Sequence, residues 1–269
     1  MDAPTVASGL EPGSFRDPDS RVFTTDGRVL RLLSEQGLAD WRELSSTGLV
    51  DELVGEGRLV GTREVEEEAA LGEAIHGGVA GVLEHDRIPF VSYPYEWTFS
   101  MLRDAALLQL GLLRRALDQG LILKDSTPYN VQFWGTEPVF IDVGSFEKQR
   151  EGEPWAGYRQ FCMLFLNPLL LQAYKGIDFR PWLRGSLAGI TPAETRHLLA
   201  SQLAAYAAEH GFRFVGSTWS GDVDMESFTY QSPAVAGWLS IVSLKPRRPG
   251  LDHFLVSVQE LDRQAARQR

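Results

Sequence analysis

Two short stretches decide the fold: residues 123–130, which read LKDSTPYN, and residues 141–144, which read IDVG. Within them Asn130 follows Asp125 by five positions, and Asp142 follows Asn130 by twelve. Apolar residues flank the polar positions, so the region is predicted to form a strand–loop–strand hairpin. Such a hairpin brings two carboxylates and one amide to a single edge, and oxygen ligands of these kinds suit Mg²⁺.

This spacing resembles the catalytic core of the protein-kinase-like superfamily, whose pattern is Asp-x-x-x-x-Asn followed by Asp-Phe-Gly. The resemblance implies that Asp125 is the catalytic base for an attacking hydroxyl, and that Asn130 and Asp142 hold Mg²⁺ against the phosphates of ATP. Lys124, just before the catalytic Asp, is assigned to cofactor binding on the same resemblance. The alternative is structural: Asp125 and Asn130 would cap a turn, and Asp142 would cap the end of a strand.

The fold implied by this resemblance is α+β, a protein-kinase-like structure with a small β-rich N-lobe and a larger helical C-lobe. It further resembles the aminoglycoside and choline phosphotransferases. The interpretation divides the chain into an irregular lead-in (1–20), the N-lobe and hinge (21–97), the helical lobe with the catalytic loop (98–211) and a C-terminal extension (212–269).

The length of the segment after Asp142 indicates which kind of molecule would accept the phosphoryl group. Only 15 residues separate Asp142 from the apolar run that starts at Tyr158. Kinases that phosphorylate peptides place a longer activation and substrate loop there. The short link therefore favours a small molecule as the acceptor.

The sequence departs from the kinase pattern in two features with which kinases bind the phosphates of ATP. Residues 1–123 contain no lysine, although protein kinases use a strand lysine of the N-lobe to hold the α- and β-phosphates. Arg31 is our candidate for this role, because arginine is a competent phosphate ligand of a different shape. Glu52, on the following predicted helix, is its candidate partner. The alternative is that both are ordinary exposed charges. The first hairpin also lacks a Gly-x-Gly-x-x-Gly loop.

A closer resemblance is to bacterial nodulation-type proteins, members of which are often described as class I SAM-dependent methyltransferases. It rests on residues 87–97, 123–133, 139–142 and 153–155 and covers roughly residues 14–200. In that family the kinase-like region stands ahead of a separate methyltransferase domain. Residues 141–146 lack the second glycine of a cofactor loop, so SAM methylation by this chain is not expected.

Local patterns predict the elements of the N-terminal half. Residues 21–33 predict a β-hairpin that turns at Asp-Gly, since this pair tolerates positive φ angles. Residues 38–57 predict a helix in two pieces interrupted by Gly48. Strands are expected near 58–65 and 79–84, and residues 88–97 suit a strand running into a connector.

The second half is predicted to be mostly helical. A helix is expected from Ser100, a possible cap, to Gln119, and an apolar helix from Tyr158 to Tyr174, broken or bent at Pro168. Residues 191–194, which read TPAE, predict a capped helix start leading to His210. Beyond 212 we expect a β-prone segment and a polar helix from about Val256.

The composition limits the partners. The chain has 36 acidic and 26 basic side chains, a formal net charge of -10, which disfavours nucleic acid or an anionic membrane as a partner. The single cysteine, Cys162, lies in an apolar run and is expected to be buried and inert. The five histidines are scattered and form no zinc motif. No apolar run approaches the ~18 residues of a membrane span and no secretory signal is visible, so we expect a cytoplasmic protein.

The leading functional hypothesis is ATP- and Mg²⁺-dependent phosphoryl transfer to a hydroxyl of a small molecule, in specialised metabolism. A second hypothesis is a pseudokinase or nucleotide-binding accessory module that works with a SAM-dependent methyltransferase or another partner enzyme. A third, transfer of AMP instead of phosphate, has the same sequence pattern and stays open.

Overall fold

The computed structural model describes residues 9–11, 17–66, 79–150, 153, 155–195, 197–199, 213–215 and 218–220. These residues form a mixed α/β structure with an antiparallel N-terminal sheet followed mostly by helices. They fall into two compact units. The first takes the described residues within Met1–Ser92, Leu112–Lys124 and Asn130–Trp155, and the second takes those within Tyr93–Gly111, Asp125–Tyr129 and Ala156–Arg269. The lobe boundaries expected from the sequence stay a prediction.

The first unit is built on a five-stranded antiparallel sheet with the strand order β1-β2-β3-β5-β4. Its strands are β1 (Gly9–Leu10), β2 (Ser20–Thr25), β3 (Arg28–Leu33), β4 (Thr62–Val65) and β5 (Gly81–His85). The predicted hairpin is confirmed, because β2 pairs with β3 and the turn residues Asp26 and Gly27 have φ angles of 47° and 79°. These positive values are what a tight two-residue hairpin turn requires.

Two helices follow β3, as predicted. Helix α1 (Glu35–Ser46) starts at Ser34, whose hydroxyl accepts the amide hydrogen of Gly37, and α2 (Leu49–Gly55) follows after Gly48. Gly48 has a φ of 76°, a left-handed conformation that interrupts the helix and favours glycine. The apolar faces of both helices contribute buried leucines to the core of this unit.

Gly37 is predicted to tolerate no side chain. A Cβ atom at this position would lie 2.5 Å from the backbone carbonyl oxygen of Asp19, which cannot rotate away. We expect Gly37→Ala to lower the free energy of unfolding by about 2 kcal/mol through overpacking. The matched control is Gly111→Ala, since Gly111 is also helical but would meet nothing within 4 Å. It should raise the stability by up to about 1 kcal/mol. Urea denaturation measures both, and a Gly37→Ala variant as stable as wild type contradicts this packing.

Two small antiparallel strand pairs complete the first unit. Strand β6 (Leu121–Leu123) pairs with β9 (Phe146–Lys148), and between them in the chain β7 (Val131–Trp134) forms a hairpin with β8 (Glu137–Phe140). The end of β8 is tied to the segment after α2, because Phe140 accepts from the amide of Val60 and donates to the carbonyl of Arg58, both at 2.9 Å. This contact holds the chain two residues before Asp142.

The segment between β5 and the next helix is not a strand, contrary to the sequence expectation. A 3-10 turn forms at Pro94–Glu96, and the backbone of Ser92 is bound by the side-chain amide of Gln132 at 2.9 and 3.0 Å. Pro89 and Pro94 lack the amide hydrogen that a strand ladder needs, and this explains the difference.

Helix α3 (Phe99–Asp118) begins in the second unit and ends in the first. Its capping residue is Thr98 and not Ser100, since Thr98 Oγ1 accepts the amide hydrogen of Met101 at 3.3 Å. The helix thus begins slightly earlier than its apolar spacing predicts.

The second unit continues with α4 (Tyr158–Phe161), a π-helical turn (Cys162–Leu166) and α5 (Asn167–Lys175). The predicted break near Pro168 is therefore realised as a π turn just before the proline, which cannot donate the next helical hydrogen bond. Cys162 is buried, as predicted.

The remaining elements are α6 (Arg180–Gly185), a capped helix start at Thr191 and the antiparallel pair β10 (Arg213–Val215) and β11 (Thr218–Ser220). The cap is confirmed, because Thr191 and Glu194 exchange side chain–backbone bonds of 2.8 and 3.3 Å. The expected continuation to His210 and the helix from Val256 lie outside the described residues. No helix in the described part of the chain is long and apolar enough to cross a membrane.

Candidate functional site

Three residues that are distant in the sequence meet in the first unit: Arg31, Asn130 and Asp142. The Nη1 atom of Arg31 lies 2.8 Å from the Oδ1 atom of Asp142, and only 9% of the arginine side chain and 17% of the aspartate side chain are exposed. The Nδ2 atom of Asn130 donates to Asp142 Oδ2 at 3.2 Å. Both predicted metal ligands and the predicted phosphate ligand therefore form one cluster.

The position of Asp142 follows from the hairpin. Asn130 ends a 3-10 turn before β7, and its carbonyl accepts the amide hydrogen of Ile141 at 2.9 Å. This bond closes the base of the hairpin, so that Asn130 lies opposite Ile141 and its side chain reaches the next residue, Asp142. Asp142 then precedes a second 3-10 turn, Val143–Ser145.

Every nitrogen of the Arg31 guanidinium has a partner. Nη1 donates to Ser20 Oγ at 2.6 Å, Nη2 to the carbonyl of Ile141 at 3.3 Å and Nε to His85 Nε2 at 3.2 Å. Asp142 Oδ1 is buried and, among the described residues, accepts no aligned hydrogen bond. Arg31 therefore holds Asp142 through charge at close range, and the carboxylate keeps one oxygen free of a hydrogen bond.

The tautomer of His85 follows from its neighbours. Its Nε2 atom must be an acceptor because Arg31 Nε donates to it. Its Nδ1 atom lies 2.9 Å from Thr62 Oγ1, and the Thr62 hydroxyl donates to the carbonyl of Val60. His85 Nδ1 is thus the protonated nitrogen. Burial, with a smaller contribution from the Arg31 charge, lowers the pKa of His85 from 6.5 to about 3.

The buried, neutral His85 predicts a loss of stability in mild acid. As the pH falls below 6.5, the unfolded chain takes up a proton at this residue while the folded protein stays neutral down to about 3. The free energy of unfolding should therefore fall by up to about 1.4 kcal/mol per pH unit in this window, and His85 should add no pH dependence above it. Urea denaturation at pH 7, 6 and 5 measures the slope.

The matched variants for this measurement are His85→Gln and His197→Gln. His85→Gln removes the titrating group and should flatten the slope, whereas His197 is exposed and its replacement should leave the slope as in wild type. Equal slopes in wild type and His85→Gln would contradict a neutral buried histidine.

Glu52 lies apart from this cluster. It forms an ion pair with Arg115 at 2.7 Å, and 66% of its side chain is exposed. The expected pairing of Arg31 with Glu52 is therefore wrong: the carboxylate beside Arg31 is Asp142. The physical reason is that α2 turns Glu52 towards the end of α3, where Arg115 also binds Glu56.

Lys124 is held mainly through its backbone. Its amide donates to the carbonyl of Ser145 at 2.8 Å, and its Nζ atom lies 3.9 Å from Asp17. Its assignment to cofactor binding stays a prediction.

The candidate base, Asp125, belongs to the second unit, while Asn130 and Asp142 belong to the first. The carbonyl of Asp125 accepts a hydrogen bond from Gln109 Nε2 at 3.1 Å, and the amide of the next residue, Ser126, donates to Gln160 Oε1 at 2.6 Å. The loop backbone is thus anchored by side chains of its own unit.

Sequence analysis missed His85 as a neighbour of Arg31. In the sheet register His85 lies opposite both Val29 and Thr62, while Arg31 lies opposite Leu83. Arg31 and His85 are therefore diagonal neighbours on adjacent strands, which brings long side chains into reach. This relation depends on the β3–β5 register, for which the sequence carries no direct signal.

The side chains near Asp142 could bind Mg²⁺ only together with ligands from outside the protein. Asp142 and Asn130 offer one carboxylate and one amide, and no group of three or more His, Cys, Asp or Glu side chains in the described residues is placed to hold a metal. A Mg²⁺ ion there would take its remaining ligands from water and nucleotide phosphates, as it does in phosphoryl-transfer sites.

Comparison with known proteins yields one clear relative. The chain is 40% identical over 205 residues to the nodulation protein NoeA of Rhizobium meliloti (strain 1021), a match that covers 75% of this chain. The chain spans 42% of the length of that relative. The expected similarity to nodulation-type proteins is confirmed to this extent, and the relative's name states no reaction. No family model matches the chain.

A search of solved structures finds the kinase domain of PknI from Mycobacterium tuberculosis. The match is 14% identical, has a TM-score of 0.31 and covers 54% of this chain and 63% of that domain.

Proposed function

We propose that this protein is a phosphotransferase of protein-kinase-like, two-lobed fold that transfers the γ-phosphoryl group of Mg²⁺-bound ATP to a hydroxyl of a small molecule. The observation that carries the proposal is the convergence of Arg31, Asn130 and Asp142. A strand cation, a loop amide and a carboxylate after a hairpin strand are the groups such a reaction needs in one place.

The order of the elements supports the proposed fold. An antiparallel sheet carrying Arg31 on its third strand precedes a long helix, a short strand, the loop with Asp125 and the hairpin that ends at Asp142. This is the order in which kinase-like proteins present their phosphate cation, base and metal ligands.

The proposed roles follow from the chemistry of each group. The hydroxyl oxygen of the acceptor bonds to the γ-phosphorus, and Asp125 accepts the proton of that hydroxyl. The bond from the γ-phosphorus to the oxygen of ADP breaks at the same time. Arg31 binds phosphate oxygens through its guanidinium. Asn130 and Asp142 would hold Mg²⁺, which supplies charge neutralisation at the phosphates.

The test is isothermal titration of the full chain with ATP, in the presence and absence of Mg²⁺. We expect Mg²⁺-dependent binding that is lost in Asp142→Asn and in Asn130→Ala. The second variant is needed because Asp142→Asn also removes the ion-pair partner of a buried arginine, whereas Asn130→Ala leaves the Arg31–Asp142 pair intact. Circular dichroism checks that each variant is folded. Absence of binding at millimolar ATP would remove the proposal.

A second candidate is favoured by the partners of Arg31. Its guanidinium is already bound to Asp142, Ser20, His85 and a carbonyl, and the proposal puts it in the role that a lysine has in active kinases. A nucleotide-binding accessory module, working with a SAM-dependent methyltransferase or another enzyme, would retain ATP binding without turnover. Steady-state ATP consumption by a protein that binds ATP separates the two.

A further inference from the structure

Two glutamine side chains of the second unit form hydrogen bonds to the peptide unit between Asp125, the candidate base, and Ser126. Gln109, in α3, donates to the carbonyl oxygen of Asp125 at 3.1 Å. Gln160, in α4, accepts the amide hydrogen of Ser126 at 2.6 Å. The two hydrogen bonds thus pair the C=O and the N–H of the same peptide unit, and we call Gln109 and Gln160 the clamp.

The hydrogen bonds of this clamp are partly buried. Gln109 and Ser126 are both 0% exposed, and their partners Asp125 and Gln160 are half-buried, so water has only limited access to either bond. A buried backbone amide or carbonyl needs a partner within the protein. The peptide plane is rigid, and holding it from both edges restricts the rotation about the Asp125 Cα–C bond. The direction in which the Cα–Cβ bond of Asp125 leaves the backbone is restricted with it.

We propose that Gln109 and Gln160 are positioning residues for Asp125. The inference deepens the proposed function and rests on it, because the role of Asp125 as base belongs to that proposal. The clamp keeps the carboxylate aimed at the acceptor oxygen while touching neither ATP nor acceptor. A misplaced base loses rate, whereas nucleotide binding does not depend on its direction.

Gln109 donates its hydrogen bond and Gln160 accepts one, so substitutions that keep or remove each role test the proposal. Gln160→Glu keeps an oxygen that accepts from Ser126, whereas Gln160→Met keeps only the size of the side chain. At Gln109 the bond needs a donor, so both Gln109→Glu and Gln109→Met lose it, and the methionine variant avoids a buried carboxylate. The matched control is Gln119→Met, because Gln119 is exposed.

The activity measured is hydrolysis of Mg²⁺-bound ATP, in which water is the acceptor and its proton passes to Asp125. We expect kcat to fall about 10²-fold in Gln160→Met and Gln109→Met, as expected for a misplaced catalytic group. Gln160→Glu should retain most of the turnover. The Kd for ATP should stay as in wild type in all of them, which separates positioning from binding.

Amide hydrogen exchange at Ser126, followed by NMR, reports on the clamp without any turnover. Slow exchange is expected in wild type and Gln160→Glu, and faster exchange in Gln160→Met. If wild type binds no ATP, the proposed function is overturned and the positioning role with it, even where Ser126 remains protected. If wild type hydrolyses ATP but Gln160→Met and Gln109→Met keep full kcat, or Gln160→Glu fails as badly as Gln160→Met, only the positioning role is overturned.

Discussion

Replacing Arg31 with methionine should lower the free energy of unfolding by about 3 kcal/mol at pH 7, because it leaves the carboxylate of Asp142 buried without a counter-charge. The side chain of Asp142 is 17% exposed, so partial solvation keeps the effect at the lower end of what a broken buried pair costs. Urea denaturation followed by circular dichroism measures it.

The double variant Arg31→Met/Asp142→Asn distinguishes a charge effect from simple loss of packing. With both charges removed, most of the lost stability should return, since the cost lies in the uncompensated ion. The control is Arg42→Met, whose ion pair with Glu64 is exposed, with 63% and 41% of the two side chains accessible. That variant should leave the stability close to that of wild type, because an exposed ion pair contributes little. A double variant that is less stable than Arg31→Met would contradict the buried pair.

Asp125→Asn should reduce the kcat for ATP consumption by about 10²- to 10⁴-fold, the usual contribution of a general base. The amide has nearly the same size as the carboxylate but does not accept the acceptor's proton. The Kd for ATP should not change, because the proposed phosphate and metal ligands are Arg31, Asn130 and Asp142. Separation of the nucleotide products measures turnover and tells ADP from AMP, and so tests phosphoryl against AMP transfer.

The control for this variant is Asp118→Asn, an exposed carboxylate at the end of α3, which should leave kcat unchanged. Full turnover by Asp125→Asn would exclude this residue as the base. A wild-type protein that binds Mg²⁺-ATP but never consumes it would favour the accessory-module alternative.

Much of the local structure was predictable from the sequence because its causes are local. The Asp26–Gly27 turn, the break at Gly48 and the cap at Thr191 all depend on residues within a few positions of one another. The closeness of Asn130 and Asp142 belongs to the same class, since a single hairpin joins them.

The errors have physical causes as well. The segment near Ser92 reads as a strand from its aromatic and β-branched residues, but the prolines withhold amide hydrogens, and Gln132 on β7 binds the backbone instead. Glu52 is the predicted partner of Arg31, whereas α2 places it beside Arg115.

The sequence by itself therefore determined the turns, the caps and the short-range pairing of an amide with a carboxylate, because these require only neighbouring residues. Tertiary structure alone decided what surrounds Arg31 and Asp125. His85 reaches Arg31 through the register of β3 and β5, and Gln109 and Gln160 reach the loop through the packing of two helices. Such contacts join residues far apart in the chain, and their partners depend on how whole elements bury their apolar faces, which single-residue patterns do not encode.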